Sequence, residues 1–190
     1  LGKEKEIVFV TTNYGKFKEV ENILLKYNIN IEMINMRKIE IQDDDLTSIA
    51  TYAALTSFYA IRKPVLIDDS GLYIEELGGF PGPYSDYVIK KLGLNGVIEI
   101  IRRLRSRKAT FISALAYYDG KELKVFKGEV NGELTLEVRG SKGFGFDPIF
   151  IPMGSNKTFG EMTTDEKSKI SHRAKAVEAF AKWYSEHYVF

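Results

Sequence analysis

Ile7-Val8-Phe9-Val10-Thr11-Thr12-Asn13-Tyr14-Gly15-Lys16 opens the segment, residues 7–69, on which the fold turns. Ile7–Thr12 is a short, β-branched apolar run and reads as a buried strand. Gly15–Tyr27 follows with Phe17, Val20, Ile23, Leu24 and Tyr27 on one side of a helix. Ile29–Met36 reads as a second strand. Thr47 or Ser48 can cap a helix that runs to about Arg62, where Pro64 stops it. Val65–Asp69 is a third strand. A strand–helix–strand–helix–strand order of this kind predicts an α/β sheet with parallel pairs.

Beyond Asp69 the pattern changes. Gly78-Gly79-Phe80-Pro81-Gly82-Pro83 holds three Gly and two Pro in six residues and predicts irregular backbone. Tyr84–Leu92 and Asn95–Leu104 read as helices. Thr110–Asp119 and Glu122–Val130 read as strands joined at Asp119-Gly120, a hairpin signal, and Leu134–Val138 as a further β segment. Ser171–His187 returns to helix, with Ala176, Val177, Phe180, Ala181 and Tyr184 on one face. The expectation is a single two-lobed α/β domain over residues 1–190. It has a mixed sheet, flanking helices, a hairpin-rich second lobe and a central cleft for a ligand.

Composition narrows the function. The 190 residues carry 27 Lys and Arg against 26 Asp and Glu, a net charge of +1. That balance argues against a protein that wraps nucleic acid by charge. Cys is absent, which excludes thiol catalysis, disulfide scaffolds and thiolate metal sites. No apolar stretch approaches the roughly 18 residues of a membrane span. Ile7–Val10 is too short an apolar run for a signal peptide, so a cytoplasmic protein without membrane or nucleic-acid partners is expected.

Four clusters can carry chemistry. In Thr11-Thr12-Asn13-Tyr14-Gly15-Lys16 a strand runs into a helix whose first N–H groups are unpaired and partly positive. An anion fits there, and Lys16, unfavourable for a bare helix start, would then gain a partner. In Leu66-Ile67-Asp68-Asp69-Ser70-Gly71 two carboxylates follow an apolar strand and point to opposite faces. One of them can hold a hard cation such as Mg²⁺ or draw a proton from water. The run Glu40, Gln42, Asp43, Asp44, Asp45 reads mostly as a solvated face. Glu40 stands apart because it follows the second strand on the edge where α/β ligands gather, so Glu40 and Asp69 can share Mg²⁺. In Gly143-Phe144-Gly145-Phe146-Asp147-Pro148, Gly-spaced rings can stack on a base and Asp147 can accept from ring N–H groups. Lys167, His172 and Arg173 add donors for a keto oxygen or a phosphate.

Plainer readings stand beside each cluster. They are an N-cap by Asn13 with a solvated Lys16, a turn at Asp69-Ser70-Gly71, core positions for Phe144 and Phe146, an N-cap by Ser171, a structural His172 and a surface salt bridge for Arg173. Walker A, HExxH and GxSxG patterns are missing. A nucleotide sensor without catalysis, a module stacking single-stranded RNA on Phe144 and Phe146, and a haloacid-dehalogenase-like phosphatase remain rival readings, the last without its DxDx[TV] strand end.

Together the clusters resemble the inosine triphosphate pyrophosphatase family. The motifs that carry the likeness are Thr11-x-Asn13-x-x-Lys16, Asp68-Asp69-Ser70-Gly71-Leu72, Gly78-Gly79-x-Pro81-Gly82-x-Tyr84-Ser85, Gly143-Phe144-Gly145-Phe146-Asp147-Pro148-x-Phe150 and Ser171-His172-Arg173, in the family's order. The resemblance implies hydrolysis of ITP, dITP and XTP to the monophosphate and pyrophosphate, cleansing the nucleotide pool, by a homodimer. By position it implies that Thr11, Asn13 and Lys16 hold the triphosphate and that Glu40 and Asp69 hold Mg²⁺. Asp69 is then the base for the attacking water, with Lys16 beside it in catalysis and Asp68 in support. Ser70 lies beside the metal centre. Phe144, Phe146, Asp147, Lys167, Ser171, His172 and Arg173 line the base and adjoining phosphates.

Overall fold

A computed structural model of the chain describes residues 6–188. Strand β1, Ile7–Val10, is fully buried along its length, which suits a strand with parallel neighbours on both sides. It pairs in parallel with β2, Ile31–Ile34, and with β3, Val65–Ile74. Between β1 and β2 lies helix α1, Tyr14–Leu24, which buries Phe17, Val20, Ile23 and Leu24. Between β2 and β3 lies α2, Leu46–Ile61. The predicted strand–helix–strand order is therefore present. The cap of α2 differs: Asp45, not Thr47 or Ser48, accepts the free N–H groups of those two residues. A carboxylate at a helix start gains from the dipole as well as from the hydrogen bonds.

Two further differences concern β structure. β3 does not stop at Asp69 but runs on to Ile74, ten residues in all, so Asp68 and Asp69 lie in mid-strand. The Gly/Pro-rich stretch, expected to be irregular, contains β4, Pro81–Gly82, which pairs antiparallel with Leu72 and Tyr73. A Cβ on Gly71 would meet the carbonyl oxygen of Gly82 at 2.2 Å. Gly71 thus serves close approach of two backbones, where the sequence suggested a turn.

Helix α3, Ser85–Ile101, merges the two expected helices across a break at Gly93, whose φ is 66°. β5, Lys108–Tyr118, and β6, Leu123–Leu134, form the expected hairpin. Leu134–Val138 is not a separate strand. β6 ends at Leu134 and is covered instead by β7, Phe150–Pro152, through the pairs Leu134↔Phe150 and Gly132↔Pro152. Helices α4, Thr164–Ser168, and α5, His172–Tyr188, complete the chain. The strands form one mixed sheet in the order β2-β1-β3-β5-β6-β7, with β4 beside β3. No helix among the described residues is long and apolar enough to cross a membrane.

The chain divides into two compact units. The first takes residues through Asp69, Ser113–Gly128 and those from Arg173, and the second takes Ser70–Ile112 and Glu129–His172. The tip of the β5–β6 hairpin, expected in a second lobe, belongs to the first unit. Leu115 and Tyr117 of β5 join its core with Phe9, Phe17, Val177 and Phe180. Burying each such side chain contributes about 1.5–3 kcal/mol, which favours the hairpin tip in that core over an exposed extension. The second unit has its own core, built on Leu72, Ile98, Phe111, Phe146, Phe150 and Phe159.

Candidate functional site

In the first unit the start of α1 is built by its own side chains. Thr11 Oγ1 accepts from the Asn13 N–H at 3.0 Å, and Asn13 Oδ1 accepts from the Lys16 N–H at 3.1 Å. This is the N-cap that a polar residue at this position favours. Lys16 is not simply solvated. Its Nζ lies 2.9 Å from Asp68 Oδ2.

Asp68 is the hub of this unit's charges. Ser113 Oγ donates to its Oδ1 at 2.6 Å, and Arg173 Nη2 donates to its Oδ2 at 3.2 Å. Arg173, only 1 % exposed, also donates to Glu19 Oε2 at 2.5 Å. Burial works to raise the Asp68 pKa, but Arg173, Lys16 and Ser113 outweigh it and hold the carboxyl far below the usual range. Arg173 was grouped with the base-binding residues on sequence grounds. The structure seats it on Asp68 and Glu19 in the first unit, where it neutralises a buried carboxylate.

Asp69, on the opposite face of β3, behaves differently. Burial raises its pKa, Glu40 and Asp68 add to the rise, and Lys38 and Lys16 only partly offset it. Two consecutive carboxylates therefore differ in character. One carboxyl is held below the ordinary Asp range, and its neighbour is pushed above it. Glu40 joins Asp69 through Lys38, whose Nζ lies 3.1 Å from Glu40 Oε1 and 3.7 Å from Asp69 Oδ1. Burial opposes a charge on Lys38, yet Asp69, Glu40 and Asp68 outweigh it and hold the ammonium above its ordinary range.

The pair Glu40 and Asp69 suits Mg²⁺, a hard cation bound through one or two carboxylates plus substrate phosphates. The Lys38 ammonium between them shows that the pair accepts a positive charge. Among the described residues no three His, Asp or Glu side chains converge into an all-protein cage, which this mode of binding does not require. Around Asp68 and Asp69 stand three cations, Lys16, Lys38 and Arg173, against four carboxylates, Glu19, Glu40, Asp68 and Asp69.

The second unit holds the aromatic cluster. Asp147 Oδ2 accepts from Lys167 Nζ at 2.7 Å and from the Phe144 N–H at 2.8 Å. Lys167 is 4 % exposed, and its Nζ stands 4.8 Å from the Phe144 ring centre and 5.5 Å from that of Phe159. Gly143 has φ of +75°, and a Cβ there would sit 2.1 Å from Asp147 Oδ2, so this turn demands glycine. Phe144 is half-buried, while Phe146 is 3 % exposed and part of the second core. Phe146 packs among the apolar side chains of the second core, whereas Phe144 is half-buried beside the Lys167 ammonium. His172 is also buried and stacks on Phe111 with ring centres 4.6 Å apart and planes at 7°. Ser171 precedes α5, and its N–H donates to the Lys167 carbonyl at 2.9 Å. Ser70 opens the second unit directly after Asp69.

A groove of about 670 Å³ in the second unit is lined by Tyr73, Lys108, Asn131, Ile151 and Met153 among others. No candidate site residue lines it. Residues that the sequence reading missed are Lys38, Glu19, Ser113 and Phe159. Glu19 could have been found, since it lies one turn after Lys16 on α1. Ser113 is a polar residue in an apolar strand. Lys38 gave no signal, because its partners on β3 lie about thirty positions away.

A model described as the Ham1 family matches residues 7–183. A protein of Methanopyrus kandleri named dITP/XTP pyrophosphatase is 45 % identical over 94 % of this chain and 96 % of its own length. One of Thermococcus kodakarensis with the same name is 45 % identical over 95 % and 97 %. The solved structure of a HAM1 protein from Coxiella burnetii matches with a TM-score of 0.82 at 28 % identity, covering 95 % of this chain and 98 % of that one.

Proposed function

The chain belongs to the Ham1 family, and from that premise we propose that it hydrolyses the non-standard purine nucleoside triphosphates ITP, dITP and XTP to the monophosphate and pyrophosphate, with Mg²⁺ as cofactor. The resemblance read from the motifs is borne out at the level of the family. The observation that carries the chemistry is the charge cluster on β3, where Asp68 meets Lys16 and Arg173, and Asp69 and Glu40 both face the Lys38 ammonium.

Asp69 and Glu40 would hold Mg²⁺, which when bound supplies positive charge opposite the phosphates. Asp69 accepts a proton from water as the water oxygen attacks the α-phosphorus. The bond from that phosphorus to the bridging oxygen breaks, and pyrophosphate leaves with the electron pair. Lys16, fixed by Asp68 at the start of α1, presents its ammonium to the phosphates, and Thr11 and Asn13 hold the turn that places it. Asp68 keeps Lys16 and Arg173 in position.

For the base, the half-buried Phe144 offers a ring to stack on, and Asp147 fixes its turn through the Phe144 N–H. Lys167, Ser171, His172 and Ser70 supply donors near the purine and its sugar-phosphate. A donor aimed at the keto oxygen of hypoxanthine or xanthine is left unpaired by adenine, at a cost of about 1–3 kcal/mol. The same reading carries a homodimer acting in the cytoplasm, and light scattering on the purified chain tests the dimer.

The decisive experiment incubates the protein with ITP, XTP, dITP, ATP and GTP, with and without Mg²⁺, and quantifies nucleoside monophosphate and pyrophosphate. Matched release of IMP and pyrophosphate from ITP, dependent on Mg²⁺ and weak with ATP, is expected. Release of single phosphates, or binding without products, would overturn the assignment.

A further inference from the structure

Lys38 belongs to no motif, yet it occupies the centre of the acidic group. It lies in the segment after β2, 12 % exposed at its side chain. Its Nζ donates to the Asp68 carbonyl oxygen at 2.7 Å and lies 3.1 Å from Glu40 Oε1 and 3.7 Å from Asp69 Oδ1. A backbone carbonyl and two carboxylates are the oxygen types that a hard divalent cation selects. The ammonium thus stands as a tethered cation among donors suited to a metal ion. Oxygen–ammonium separations of 2.7–3.7 Å exceed the roughly 2.0–2.1 Å that Mg²⁺ demands. An ion taking Glu40 and Asp69 would enter the space that the ammonium holds between them. The ammonium then cannot remain where it is, since two cations would share one small volume of low dielectric.

We propose that Lys38 is an internal counter-cation that holds Glu40 and Asp69 while no divalent ion is bound and must yield the pair when one arrives. The inference rests on the assignment of Glu40 and Asp69 as the metal-holding pair. It makes Lys38 a positioning residue with two settings. Without a ligand it keeps neighbouring carboxylates from repelling one another. Once displaced, its charge is free to face the phosphates that enter with the metal. Metal loading in the absence of nucleotide is then weak by construction, and loading with nucleotide is favoured, because the released ammonium gains a new anionic partner.

The test measures Mn²⁺ binding to the nucleotide-free protein by the electron paramagnetic resonance signal of unbound Mn²⁺. Wild type, Lys38→Met, Lys38→Arg and Glu40→Gln are compared, with circular dichroism confirming the fold. Lys38→Met should bind Mn²⁺ about tenfold tighter than wild type, because the competing charge is gone. Lys38→Arg, which keeps the charge, should stay near wild type. Adding a non-hydrolysable ITP analogue should shrink the gap between Lys38→Met and wild type. Equal or weaker Mn²⁺ binding by Lys38→Met overturns the proposal. Should Lys38→Met fail to fold, Glu40→Gln at its half-exposed position serves instead: weakened Mn²⁺ binding supports the shared pair, and unchanged binding overturns it. ITP hydrolysis is assayed separately. A chain that shows the Mn²⁺ shift but leaves ITP intact sinks the pyrophosphatase assignment alone. A chain that cleaves ITP while Lys38→Met binds Mn²⁺ no tighter sinks the counter-cation alone.

Discussion

Two lysine–carboxylate pairs of nearly equal length lead different lives. Lys16 meets Asp68 at 2.9 Å in the first unit, and Lys167 meets Asp147 at 2.7 Å in the second. Lys167–Asp147 lies among aromatic rings. The rings of Phe144 and Phe159 flank the ammonium, and the carboxylate also accepts from the backbone N–H of Phe144 in its own turn. Lys16–Asp68 is one contact in a web that includes Arg173, Glu19, Ser113 and, through the Asp68 carbonyl, Lys38. The first arrangement fixes a loop. The second gathers several charges that a ligand can redistribute, and Asp69 follows Asp68 directly on β3. An ion pair is thus weak evidence of function by itself, and the company it keeps decides.

The sharpest break of this comparison is Asp69→Asn. It removes the group inclined to take a proton while changing little volume. Turnover of ITP should fall roughly 10²–10⁴-fold, the range of a lost general base, with an unchanged circular dichroism spectrum. An unaltered kcat removes Asp69 from the chemistry.

Next in size is Asp68→Asn, which leaves the buried Arg173 and the partly exposed Lys16 without their shared anion. A loss of about 3–5 kcal/mol in urea unfolding is expected. The folded carboxyl of Asp68 titrates below its unfolded value. Its contribution is therefore complete above about pH 4, the ordinary Asp range, and drains away as the pH falls below that. Melting temperature against pH should show an acid slope in wild type that is shallower in Asp68→Asn.

A finer cut compares double substitutions. Lys167→Met alone should destabilise by up to about 3–5 kcal/mol, since it leaves Asp147 without its cation. Lys167→Met with Asp147→Asn should recover much of that loss, because the asparagine oxygen still accepts from the Phe144 N–H. Lys16→Met with Asp68→Asn should recover little, because Arg173 remains. Equal recovery in both units would erase the distinction drawn above. The smallest expected effect is Phe144→Ala. Loss of a stacking face costs about 1–3 kcal/mol, which should appear in KM for ITP with kcat little changed.

The sequence made much of this legible, and its failures have physical reasons. Ile7–Val10, the α1 face and the Asp119-Gly120 hairpin announced themselves by periodicity and turn chemistry, which are local properties. β3 was cut short at Asp69 because Ser70-Gly71 looks like a turn. Only the neighbouring β4 reveals that Gly71 is small so that a strand can lie against it. Leu134–Val138 has strand-like residues, but the place beside the end of β6 is taken by Phe150–Pro152. Of the site, Lys16, Asp68, Asp69, Phe144, Asp147 and Lys167 were all singled out. Their pairings were not, because Asp68 with Arg173 spans 105 positions and Asp147 with Lys167 spans 20. Phe146 and Phe144 differ in exposure although both follow a glycine. Spacing alone cannot tell a ring in the core from one at its edge.

The crowding at Gly71 has an outcome for anyone surveying this chain by random mutagenesis. Every replacement there forces β4 off β3, two residues downstream of Asp69, and turnover would vanish along with the protein itself. A screen scored on product alone would rank that glycine beside the true reaction centre, and only a parallel readout of cellular abundance separates a broken scaffold from a silenced chemistry.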